Sequence, residues 1–217
     1  MLDLKTTQIE AARLAKTVLA AIDSMGDKAA EHVLRHSVLR WDPPALATAF
    51  WRCIAHARPE PGQAIVEIGT FHGATAALLG LIARDLCPGV KVWTVDVNGA
   101  SSLALELWRI LGVRHPLDQS GNVLARLGRA EAVLGDPSWP GGGLPVAVAF
   151  VDGDHGVDAV AREWALLAPR LTPRGVVLFD DVNYSRGPGA FLRGLDGFHD
   201  EGRLGWIANG KPTEEAA

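Results

Sequence analysis

The chain is expected to fold as an α/β protein: a mostly parallel, seven-stranded sheet with helices on both faces and a helical cap in front of it. Three observations lead there. Short apolar, β-branched runs at residues 64–68, 90–95, 146–151 and 176–179 alternate with helical patterns, the signature of strands buried on both faces. Each run closes on glycine or carboxylate residues: Gly69, Asp96, Asp152, and Asp180 with Asp181. The residues before position 62 carry only the helical period.

Within that first segment, Ala11, Ala15, Val18, Leu19 and Ile22 form one apolar stripe. Asp42-Pro43 reads as a helix start, an N-cap acceptor followed by proline at the first helical position. Leu46, Phe50, Cys53, Ile54 and Ala57 then keep the same period until Pro59-Glu60-Pro61-Gly62 ends it. Residues 64–68 are the first strand, 74–84 a helix, and 90–95 the second strand, followed by a helix over 102–111. The stretch 113–130 looks irregular, a loop or a lid, and 132–134 a short third strand. A buried strand at 146–151, a helix over 158–171, a turn at Thr172-Pro173-Arg174-Gly175 and a strand at 176–179 complete the pattern. Beyond Asp181 only residues 205–208 read as a strand, which leaves the last edge of the sheet in doubt and the sheet open to truncation. The expected division is a cap over 1–61, a catalytic domain over 62–210 and a disordered tail over 211–217.

Composition narrows the classes. A length of 217 residues suits one sizeable core, and a net charge of −4 offers no footprint for nucleic acid or an anionic membrane. Cys53 and Cys87 are too few for a disulfide framework or a metal knuckle, so a reducing, cytoplasmic setting is expected. The first residues do not read as a secretory signal, so none is expected here, and no apolar run is long enough to span a bilayer.

The chemistry concentrates at the strand ends, where open α/β sheets bind ligands. In Val66-Glu67-Ile68-Gly69-Thr70-Phe71-His72-Gly73, glycines let backbone approach a ligand, and Glu67 suits a buried strand only if it accepts hydrogen bonds. The plain alternative is a tight β–α turn. The spacing G-x-x-x-G differs from the G-x-G-x-x-G of dinucleotide enzymes, which lowers an NAD reading. Asp96 can grip the two hydroxyls of a ribose. Asp136, in Leu134-Gly135-Asp136-Pro137, suits an adenine edge or merely initiates a turn. Asp152, Asp180 and Asp181 close neighbouring strands about 4.8 Å apart, so their carboxylates can converge on one hard cation such as Mg2+. Helix caps and solvated acids are the alternative. His155 follows on the same loop and suits a general base, with Asp152 as the weaker candidate. Trp41, Trp139 and Tyr184 fall near these loops, with a structural role the plainer assignment.

Taken in order, these motifs resemble the class I S-adenosylmethionine-dependent methyltransferases, over about residues 63–183. The nearest likeness is to small-molecule O-methyltransferases of the macrocin and mycinamicin type. The catechol branch is more distant, with Asp-Asn where this chain has Asp180-Asp181. The resemblance implies a Rossmann-like fold that holds S-adenosyl-L-methionine through Glu67, Gly69, Thr70, Phe71, Gly73, Asp96, Asp136 and Asp152. It further implies Mg2+ or a similar ion on Asp152, Asp180 and Asp181, and His155 as base toward a hydroxylated small molecule, sugar or phenol. Metal-independent methylation of nitrogen or carbon, an adenosine-ligand binder without catalysis and a homodimer all stay open.

Overall fold

The computed structural model describes residues 3–35, 37–114, 121–137, 143–184 and 187–209. The chain opens with helix α1 (Leu4–Asp23), capped by Asp3, whose carboxylate accepts from Thr6 N at 3.0 Å. It buries Ala11, Leu14, Ala15, Val18 and Ile22, with Leu14 deeper in the stripe than the expected Leu19. Helix α2 (Asp27–Arg35) and a 3₁₀ turn (Val38–Arg40) lead to α3 (Pro43–Ala57). There Asp42 accepts from Ala45 N at 3.0 Å, as the Asp-Pro pair predicts.

The sheet then begins: β1 (Ala64–Ile68), α4 (Ala74–Leu86), β2 (Lys91–Asp96), α5 (Ser102–Ile110), β3 (Val123–Leu127), α6 (Ala130–Leu134), β4 (Val146–Val151). It continues through α7 (Val157–Leu167), β5 (Leu171–Phe179), α8 (Pro188–Leu192), β6 (Phe198–Glu201) and β7 (Leu204–Ala208). Among the described residues the seven strands form one sheet in the order β3-β2-β1-β4-β5-β7-β6. The first five are parallel; β7 runs antiparallel to β5 and to β6. Every residue of β1 and β4 is buried, which is why β4 reads as an unbroken apolar run and β1 as one interrupted only by Glu67. One apolar cluster joins α1 and α3 to α4 and one sheet face; a second fills the other face. The order of connection reverses between β1 and β4, and a crevice at their C-terminal ends is the ligand position for such a sheet.

Three expectations are corrected. Residues 132–134 belong to helix α6, and the third strand is Val123–Leu127, inside the stretch expected to be irregular. As an edge strand β3 is buried only at Val123, so it carries little apolar signal, whereas Val133 and Leu134 are apolar because a helix buries them. The expected turn at 172–175 is a bulge within β5: two steps along β4, from Val146 to Val148, correspond to five along β5, from Leu171 to Val176. Finally, the sheet is not truncated. Phe198–Glu201 forms its last edge, exposed except at the half-buried Phe198, and therefore polar in sequence. The tail at 211–217, Trp139 and most of the 113–121 connection lie outside the described residues. No helix among those described is long and apolar enough to cross a membrane.

One buried acid sets a pH dependence. Glu163 of α7 is 3% exposed, and its Oε2 has no hydrogen-bond partner among the described residues. Burial, then repulsion from Glu131 and Asp154, pushes its carboxyl up to about 7 against the opposing Arg162. A carboxyl raised in the folded state favours folding while protonated, so this contribution is complete below its ordinary pKa and lost as pH rises through about 7. Unfolding free energy should therefore fall between pH 5 and pH 8, by ~1–3 kcal/mol from this group. Urea unfolding of wild type and Glu163→Gln at both pH values checks it. Identical pH slopes in the two proteins would refute the assignment.

Candidate active site

At the switch point the end of β1 is sewn to β4 on one side and to β2 on the other. Asp152 N donates to Ile68 O at 2.9 Å, and Gly69 N donates to Val95 O at 2.9 Å. Gly69 sits at φ 97, and a Cβ there would lie 2.1 Å from the Asp152 carbonyl oxygen. Only glycine satisfies both demands. Gly73, at φ 72, precedes α4 and leaves its first turn without a side-chain cap. Those free amides and the helix dipole favour an anionic ligand group. Trp108 of α5 holds the loop from behind: its Nε1 donates to Gly73 O at 2.7 Å. Between the glycines Phe71 takes φ 46 and is 45% exposed, a conformation that non-glycine residues adopt at a cost.

Glu67 is wholly buried one step before this loop. Burial pushes its carboxyl up to about 8, with the Thr94 hydrogen bond opposing and Asp96 adding repulsion. Thr94 Oγ1 donates to Glu67 Oε2, so the 2.5 Å contact between Thr70 Oγ1 and Thr94 Oγ1 has Thr70 as donor. Glu67 Oε1 has no partner among the described residues. Asp96 ties the loop down: its Oδ2 accepts from Thr70 N at 3.1 Å and Phe71 N at 3.0 Å, and its Oδ1 from Asn98 N at 2.7 Å. A carboxylate offers about four acceptor positions, so one remains for a ligand hydroxyl. Asp136 stands after helix α6 rather than after a strand, half-buried, with its N–H on Val133 O at 3.3 Å.

The second group gathers at the ends of β4 and β5. Asp180 is 1% exposed, and its N–H donates to Val151 O at 3.0 Å. Asp181 adopts φ 55, a conformation aspartate tolerates better than most residues. Its Oδ2 lies 3.7 Å from His155 Nδ1. Burial holds the Asp152 carboxyl well above the usual carboxylate range, reinforced by Asp180, Glu67 and Asp181 and opposed by Arg203. Burial and then Asp180 also raise Asp181, against Arg203, His155 and Arg40.

Arg203 was not among the expected site residues. Its Nε donates to Asp180 Oδ1 at 2.7 Å and its Nη2 to Asp180 Oδ2 at 2.5 Å; Nη2 also lies 3.1 Å from Asp181 Oδ1. It occupies the second position of the two-residue turn Gly202-Arg203 between β6 and β7, with Gly202 at φ 88. The antiparallel pairing Phe179↔Gly205, carried two residues further, sets Arg203 opposite Asp181, and Val182 N donates to Arg203 O at 3.0 Å. The guanidinium carbon lies 5.2 Å from the Trp41 ring, with that of Arg40 at 4.4 Å. Trp41, which is 59% exposed, thereby links the N-terminal helices to the carboxylates.

The structure thus brings Asp152, Asp180, Asp181 and His155 together, but with a guanidinium among them. Both oxygens of Asp180 and one of Asp181 are engaged by Arg203, and this donor set does not fit the expected Mg2+. Among the described residues no group of three His, Cys, Asp or Glu side chains is arranged to hold a metal.

A family model described as a methyltransferase domain matches residues 66–182. No curated protein matches the chain by sequence. Among solved structures, the chain is similar to the calicheamicin methyltransferase CalS11, with TM-score 0.61 and 14% identity over 92% of this chain and 93% of that one. It is also similar to the O-methyltransferase TomG from Streptomyces achromogenes, involved in tomaymycin synthesis and solved with S-adenosylmethionine: TM-score 0.58, 19% identity, 91% and 90% covered. MycE from the mycinamycin pathway, solved with Mg and S-adenosylhomocysteine, gives TM-score 0.54 and 14% identity over 82% of this chain and 52% of that one. These likenesses show a Rossmann-like fold of the methyltransferase kind.

Proposed function

Because the chain belongs to the methyltransferase-domain family, we propose that it transfers a methyl group from S-adenosylmethionine to a hydroxyl of a small molecule, a sugar or a phenol. One observation carries the reading: a tight glycine loop with a buried acid adjoins, across the Gly69–Asp152 contact, a separate carboxylate and histidine cluster. The first suits a nucleoside cofactor and the second a proton-bearing acceptor. Solved structures of similar fold that are described as O-methyltransferases support the acceptor class.

The residues fit the cofactor. Gly69 and Gly73 let the loop pack directly against Asp152 and Trp108, Glu67 Oε1 is buried without a partner among the described residues, and one acceptor position of Asp96 suits a ribose hydroxyl. Thr70 and Phe71 hold the loop, Asp136 lies toward the adenine side, and Asp152 stands at the junction with the acceptor. When bound, the cofactor supplies an electrophilic methyl on a sulfonium, already activated by its leaving group. The chain then has to orient the acceptor and take its proton. His155 does the latter, and Asp181 at 3.7 Å steadies the imidazolium that forms. The Mg2+ expected on Asp152, Asp180 and Asp181 has no part in this scheme, since Arg203 pairs with two of them. That pairing equally favours a second reading, metal-independent transfer to nitrogen or carbon. Residues 1–61 serve as the cap and 62–210 as the catalytic domain, in a reducing, cytoplasmic setting consistent with two free cysteines.

Calorimetric titration with S-adenosylhomocysteine, with NAD as control, tests the cofactor. Saturable 1:1 binding of the first alone is the expected result. No binding of S-adenosylhomocysteine, or equal binding of NAD, would overturn the reading.

A further inference from the structure

We infer that Arg203 is the resident cation of the acceptor site, and that the carboxylate cluster works without a divalent metal. Three carboxylates meet at the ends of adjacent strands, and Asp180 is 1% exposed. A buried carboxylate is tolerated only when paired and hydrogen-bonded. Arg203 meets that need in the geometry its planar fork prefers, with Nε and Nη2 on the two oxygens of one carboxylate. Its Nη2 extends the pairing to Asp181. A divalent ion on Asp180 would have to share both of its oxygens with this guanidinium, a like charge.

The guanidinium is also held in place. The Arg203 backbone carbonyl accepts from Val182 N at 3.0 Å, in line with the β5–β7 pairing, and the Trp41 ring packs 5.2 Å from the guanidinium carbon. Displacing it would break the fork, leave the ring contact and move a positive charge out of a carboxylate cluster. The two donors on Nη1 take no part in these contacts. They are the groups that can hydrogen-bond an acceptor oxygen and stabilise the charge it gains as His155 removes its proton.

The role of Arg203 at an acceptor rests on the methyl-transfer reading; the exclusion of the metal does not, and it is read without turnover. Full-length wild type, Asp181→Asn, Arg203→Met and the Arg203→Met/Asp181→Asn double variant are titrated with Mn2+ alone by electron paramagnetic resonance. The expected result is no stoichiometric site in wild type up to about 1 mM. A single site at least about tenfold tighter should appear in Arg203→Met and vanish in the double variant. One Mn2+ bound by wild type and lost in Asp181→Asn would overturn the inference, because Arg203 would then yield to the ion. That arm needs no substitution at Arg203, so it decides even if Arg203→Met does not fold. Failed S-adenosylhomocysteine binding with these Mn2+ results intact would sink only the methyl-transfer reading.

Discussion

The Gly69→Ala protein should melt well below wild type and bind no S-adenosylhomocysteine. Two separate penalties meet at this residue. An alanine at φ 97 is strained, which costs about 1–2 kcal/mol. Its Cβ would also stand 2.1 Å from the Asp152 carbonyl oxygen, and neither backbone can give way without breaking the Asp152 N to Ile68 O bond. Overpacking of this kind costs a further ~1–3 kcal/mol. A loss of ~2–5 kcal/mol corresponds to roughly 5–15 °C in a protein of this size. Gly62→Ala separates the two penalties, since Gly62 has φ 93 with nothing within 4 Å of its Cβ position. That control should show only the smaller shift and full ligand binding. Wild-type binding by Gly69→Ala would mean that the β1–β4 crossing is not the cofactor cradle.

Removing His155 should do the opposite: spare the cofactor and abolish most of the turnover. Its side chain is 46% exposed and contacts Asp181 only at 3.7 Å, so His155→Ala leaves the fold and the glycine loop intact. A positioned general base contributes ~10²–10⁴-fold, and that is the expected drop in kcat, with S-adenosylhomocysteine affinity unchanged. Asp181→Asn should fall between wild type and His155→Ala, since it weakens the support of the imidazolium without removing the base. The measurement is single-turnover methyl transfer to a panel of hydroxylated acceptors beside calorimetric titration. A parallel loss of binding and turnover would make His155 structural, and full turnover would pass the role to another group such as Asp152.

Strands buried on both faces were legible because burial forces mostly apolar, β-branched residues in a row, with Glu67 the exception in β1, and the expected bounds of β1 and β4 match residue for residue. So was the glycine loop after β1, where backbone geometry leaves little choice: Gly69 cannot carry a side chain. The edges were not. β3 is buried only at Val123 and β6 is exposed except at the half-buried Phe198, so neither is constrained to a recognisable pattern. The bulge in β5 contains a proline, and proline in a short Thr-Pro-Arg-Gly stretch reads as a turn until the pairing with β4 is known.

The same division runs through the active site. Local sequence determined which groups stand at the strand ends: Glu67, Asp96, Asp152, His155, Asp180 and Asp181 all follow from position in a strand–loop–helix unit. It also showed that three carboxylates there need a positive charge. Which charge answers was decided only in three dimensions. Arg203 lies 22 residues beyond Asp181, in a two-residue turn like many others, and reaches the carboxylates through the register of an antiparallel hairpin. Register depends on pairing between distant segments, and a slip of one residue would turn the side chain to the other face. No neighbour in sequence records that choice, so the cation of this site is a property of the sheet rather than of any motif.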